Sequence, residues 1–98
     1  MYLINVSIKE KPSDPSAAEH LKEHQNWFGK YFDEGKFLMV GPSKTYELSG
    51  VILAQVKNRE ELDQILSEDV YFPNDATYEV NEYVPSRISK NITMFEGK

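Results

Sequence analysis

Cysteine is absent from the sequence, which removes disulfides, thiol nucleophiles and thiolate metal ligands together. Histidine is nearly as scarce: two residues in 98 leave a histidine-rich metal centre unexpected, and neither a metal nor a cofactor is assigned. Positive charge is also short, with 11 Lys and Arg against 16 Asp and Glu. Lys9, Lys11, Lys22, Lys30, Lys36, Lys44 and Lys57 are scattered among acids. Phosphate backbones are held by clustered cations, so nucleic acid is not expected as a partner. No apolar run approaches the ~18 residues of a membrane span. The opening MYLINVSIKEK carries no basic leader, so neither a membrane nor a secretory route is expected, and the expected location is cytoplasmic. Glycine-rich phosphate cradles, nucleophile elbows and metal-ligand spacings are missing too.

What remains is ordinary for one globular domain: 40% hydrophobic and 28% charged residues over a chain short enough to be a single unit, residues 1–98. Tyr2, Ile4, Val6 and Ile8 alternate along residues 2–8, a first strand. After a polar loop, Asp14 is placed to cap a helix with Pro15 in its first turn. That helix is expected to run to about Glu34 and end at Gly35, with Ala17, Leu21, Phe28, Tyr31 and Phe32 on its apolar side. Gly29 lowers its propensity by roughly 1 kcal/mol relative to alanine. Residues 36–42 and 51–56 read as two further strands. Asn58 is placed to cap a second helix with Leu62, Ile65 and Leu66 on its apolar face, ending near Glu68. Residues 77–84 form a fourth strand, and the tail 86–98 receives no assignment.

The order β-α-β-β-α-β is the α+β, ferredoxin-like arrangement with a four-stranded antiparallel sheet. Two helices cover one face of such a sheet. If the other met water, the strands would alternate apolar and polar residues. Instead Phe37, Leu38, Met39 and Val40 are apolar in succession, as are Val51, Ile52, Leu53 and Ala54. Packing of the second face against another copy of the chain satisfies this and makes a homodimer the expected assembly. A tail folded over the open face, or strands simply rich in β-formers, would serve as well.

His24 falls in the middle of the first helix's apolar stripe at ~100° per residue, so it points toward the sheet. A histidine there needs hydrogen-bond partners, and a core histidine satisfied by one carboxylate or carbonyl would have the same position. Asp69 and Asp75 lie between the second helix and the last strand, where this topology allows an acid to come near the first helix. An aspartate on one ring nitrogen would fix the tautomer and raise the basicity of the other. Both acids also suit a loop, Asp75 after Pro73 and Asn74 above all. Tyr2, Trp27, Phe28, Tyr31, Tyr71 and Phe72 supply an aromatic pocket or an ordinary core.

His24 ahead of FDEGKFLMVGP, then Asp69 before Tyr78-Glu79-Val80, resembles the YciI-like (YCII-related) family from the first strand to about Val84. The resemblance implies a dimeric α+β barrel and a pocket holding a His–Asp pair, here His24 and Asp69. Some relatives remove HCl from chlorinated aromatic breakdown products, and the wider superfamily includes lactone isomerases and cofactor-free monooxygenases. The chain departs from the family in having Asp69-Val70 where Asp-Pro is frequent, and Asp75-Ala76 where a small glycine-containing turn is frequent. Two function classes are expected from these readings. One is a cofactor-free acid–base enzyme, performing elimination or isomerisation on a small organic molecule of unknown identity. The other is a non-catalytic homodimer that binds a small molecule or is merely structural.

Overall fold

The structure, a computed structural model, describes residues 1–98. Strand β1 (Tyr2–Ile8) leads into helix α1 (Ala17–Asp33), the hairpin of β2 (Phe37–Pro42) and β3 (Ser49–Ala54), helix α2 (Arg59–Leu66) and strand β4 (Ala76–Glu82). The sheet has the order β2-β3-β1-β4 with every pair antiparallel. This is the expected α+β, ferredoxin-like plan.

Several boundaries move. Helix α1 begins two residues later than Pro15, with Ser16 rather than Asp14 at the N-cap. Asp14 instead accepts a hydrogen bond from the Lys11 backbone N–H at 3.1 Å, so the side chain serves the preceding turn. Strand β3 covers Ser49–Ala54 rather than 51–56, because Ser7 at the far end of β1 recruits Ser49 into the ladder. The tail adds no strand; it carries only a 3-10 turn at Ile92–Phe95.

Other expectations hold. Asn58 caps α2 by accepting the Glu61 N–H at 2.9 Å. Gly35 sits at φ +79°, and the N–H groups of Gly35 and Lys36 bond to the carbonyls of Phe32 and Tyr31. That double bond pattern stops α1 and needs the left-handed conformation that glycine adopts without a steric cost.

The phase of α1 is the more consequential difference. His24, Trp27 and Tyr31 are its buried residues, while Leu21 and Phe32 stand 44% and 50% exposed. The core therefore centres on Trp27, Tyr31 and Phe37, whose rings meet at 5.3 and 5.6 Å, with Ile4, Ile52, Leu62 and Ile65 around them. The Trp27 indole N–H donates to the Ile65 carbonyl at 2.8 Å, tying α1 to α2. Of the six aromatic residues expected to form pocket or core, Tyr2, Trp27, Tyr31 and Tyr71 are core, Phe28 packs at its margin and Phe72 is exposed.

The opposite face of the sheet is open and partly apolar. The register lines up Leu3, Leu53 and Met39 across β1, β3 and β2, with Val51 beside Asn5. A bulge between Phe37 and Met39 sets both Leu38 and Met39 against Leu53. On β4 the same face is polar, with Thr77, Glu79 and Asn81 exposed.

Candidate functional site

Helix α1 crosses the sheet so that His24 lies above the start of β4, and the turn after α2 brings Asp69 up beneath it. The Asp69 backbone is held in that turn, its N–H bonded to the Leu66 carbonyl and its carbonyl to the Phe72 N–H. The His24 Nδ1 then lies 2.8 Å from Asp69 Oδ1, with the carboxylate side chain wholly inaccessible to water. An ionised carboxylate only accepts, so Nδ1 is the protonated nitrogen and donates. Asp75, by contrast, serves the turn: its backbone N–H bonds to the Tyr71 carbonyl, and its side chain takes no part in the pair.

A third member was not evident from the sequence. The Tyr78 hydroxyl donates to the other oxygen, Asp69 Oδ2, at 2.5 Å. Burial, then this hydrogen bond and the Asp69 charge, push the Tyr78 phenol well above its ordinary range. It stays protonated and keeps donating. The signal that locates it is register: Tyr78 pairs with Val6 on the helix-covered face of β4, nine residues after Asp69.

Aromatic rings enclose the imidazole. Trp27 stacks on it at 5.5 Å, Phe28 meets it edge-on at 5.5 Å, and Tyr71 lies at 5.2 Å. With Nδ1 committed to Asp69, the remaining nitrogen, Nε2, has no protein partner and is not sealed off. His24 is part of the wall of a cavity of about 600 Å³ between α1 and the β2–β3 hairpin. The apolar wall includes Val6, Ile8, Leu21, Phe28, Val40 and Ile52; Lys44 and Glu47 of the hairpin loop are its charged groups. A space of this size suits a small organic molecule.

The second histidine forms its own pair. His20 Nδ1 lies 2.6 Å from Glu10 Oε2, and that hydrogen bond raises the His20 pKa against the opposing effect of desolvation. Tyr71 stands between the two pairs, its ring 6.3 Å from His20. Burial first, and then the charges of Glu10 and Asp69, raise its phenol pKa. His20 is not part of the cavity wall.

No helix is long and apolar enough to cross a membrane. No curated protein matches the chain in sequence. The YCII-related domain does match, over residues 1–87, a span that includes all four strands, both α-helices and His24, Asp69 and Tyr78. On that match, and with the fold it describes, the chain belongs to the YCII-related family.

Proposed function

We propose that this chain is a cofactor-free acid–base enzyme acting on a small organic molecule by proton transfer, as in an elimination or isomerisation. The observation that carries the reading is the pairing of the His24 ring: Nδ1–H is spent on a fully buried carboxylate, Nε2 has no protein partner, and the residue lines a cavity. In this arrangement Nε2 takes a proton from the bound molecule. Asp69 stabilises the imidazolium that forms and holds the ring in the productive tautomer. Tyr78 keeps the carboxylate from rotating away by occupying its second oxygen. Trp27, Phe28 and Tyr71 exclude water around the ring, which strengthens the His24–Asp69 attraction. His24 and Asp69 are the catalytic pair of this proposal, with Tyr78 as a positioning residue.

The same reading makes the working unit a homodimer joined through the open face of the sheet. The apolar row Leu3, Leu53 and Met39, with Leu38 and Val51, supports it, since both faces of β2 and β3 then leave water.

Proton exchange tests the chemistry without knowledge of the physiological substrate. Unsaturated and halogenated carboxylic acids and lactones would be incubated with the protein in D2O, and loss of C–H signals followed by proton NMR. Exchange is expected with a member of this panel, slowed about 10²–10⁴-fold by His24→Ala. Exchange that survives His24→Ala at full rate would remove His24 from the mechanism. Saturable binding without exchange would favour the non-catalytic reading.

A further inference from the structure

Beyond Glu82 the chain leaves the edge of the sheet with nothing of its own to rest on. Tyr83 is the last residue tied to the ladder: its N–H donates to the Met1 carbonyl at 2.9 Å and its carbonyl accepts from the Met1 ammonium at 3.1 Å. From Val84 to Lys98 every hydrogen bond closes within the segment itself, as from Ser86 to Val84 and from Met94 to Asn91. Val84, Ile88, Met94 and Phe95 are 82%, 60%, 70% and 68% exposed, so the segment offers apolar side chains that the body of its own chain does not cover. The YCII-related match stops at residue 87, before most of these residues.

Charge indicates where such a segment would settle. Arg87, Lys90 and Lys98 outnumber Glu96, whereas residues 1–83 hold eight of the 11 basic residues and 15 of the 16 acidic ones. A basic, apolar strap is thus joined to a strongly acidic body. Reach is sufficient: 12 residues from Tyr83 to Phe95 span up to about 40 Å. A four-stranded sheet is only ~15–20 Å wide.

We infer that residues 84–95 form an arm that crosses onto a second copy of this chain, its apolar side chains against the partner and Arg87 and Lys90 toward the partner's acidic surface. This rests on the dimer reading above. The inner face of the arm's own sheet is already covered by α1 and α2, and its outer face is the one given to the partner. The acidic border that Glu79 and Glu82 give to β4 is a surface of opposite charge, and two-fold symmetry presents it on both copies.

The experiment uses the full chain with p-benzoylphenylalanine in place of Phe95, mixed as isotopically light and heavy protein and irradiated. Cross-linked peptides that pair light with heavy chains are expected. In parallel, Ile92→Ser with Phe95→Ser should weaken self-association at least tenfold by sedimentation velocity, without changing the circular dichroism spectrum. Both side chains are exposed in the single chain, so the double variant leaves the domain folded. A dimeric chain whose cross-links join light to light and heavy to heavy alone, or whose association ignores the double variant, overturns the arm but not the dimer. A full chain that is monomeric at every concentration overturns both.

Discussion

At the scale of single residues, the site depends on one carboxylate with two donors. Removing the Tyr78 hydroxyl leaves Asp69 Oδ2 buried without a partner. Tyr78→Phe is therefore expected to lower stability by roughly 1.5–3 kcal/mol, measured by urea unfolding. A loss within error would show that the carboxylate finds water or another donor. The Glu10–His20 pair predicts a pH dependence. Its hydrogen bond raises the folded pKa of His20 above the ordinary 6.5. The pair's contribution to stability is then complete below that ordinary value and disappears as pH rises through the raised one. The melting-temperature gap between wild type and His20→Gln should be widest on the acidic side of neutrality and close in alkaline buffer; a gap independent of pH would contradict the pair. His24 was legible in the sequence because a histidine on an apolar stripe breaks the local pattern, whereas Asp69, an ordinary loop acid on its own, was singled out only by the resemblance to the YCII-related family. Tyr78 breaks none: a tyrosine in a strand is ordinary, and its hydroxyl gains meaning only from the register of β4 on β1. Glu10 was hidden in the same way, in a polar loop.

At the scale of elements, apolar periodicity located both helices and all four strands, while boundaries depended on tertiary partners. Asn58 and Gly35 were readable because capping is local chemistry. Ser49 entered β3 only through its pairing with Ser7, which no local pattern reveals. The orientation of α1 was legible in part. Its stripe was correctly centred on His24, but Leu21 and Phe32 lie at its margins, and Trp27 takes the core position because its indole N–H can reach Ile65 O. Two substitutions probe these elements. A Cβ added at Gly29 would meet nothing within 4 Å. Gly29→Ala is therefore expected to stabilise the protein by about 1 kcal/mol, and a destabilised variant would show that α1 needs the freedom of glycine there. Asn58→Ala removes the cap of α2 and should cost about 1 kcal/mol; both shifts can be read from the same thermal unfolding series.

For the whole molecule, the proposed assembly rests on the open face of the sheet. Successive apolar residues on β2 and β3 indicated a two-sided sheet from the sequence, and the fold places Leu3, Leu38, Met39, Val51 and Leu53 together on its uncovered side. What the sequence could not supply was the bulge at Phe37–Met39, which adds Leu38 to that patch instead of giving the strand strict alternation. Leu53→Lys would set a charge in the middle of the patch. It should convert the proposed dimer to a folded monomer, seen as a halved mass in light scattering. An unchanged mass would place the interface elsewhere.

The central claim is the state of the His24 ring, and nitrogen-15 NMR of the two imidazoles in alkaline buffer tests it most directly. Each of the two signals is assigned by one substitution. The Nδ1–H tautomer is predicted for His24, with Nε2 bare and its shift moving when Asp69 is replaced by Asn. A His24 ring protonated at Nε2 would contradict the account, because that nitrogen could then take no proton, and one indifferent to Asp69→Asn would contradict the pairing that holds it.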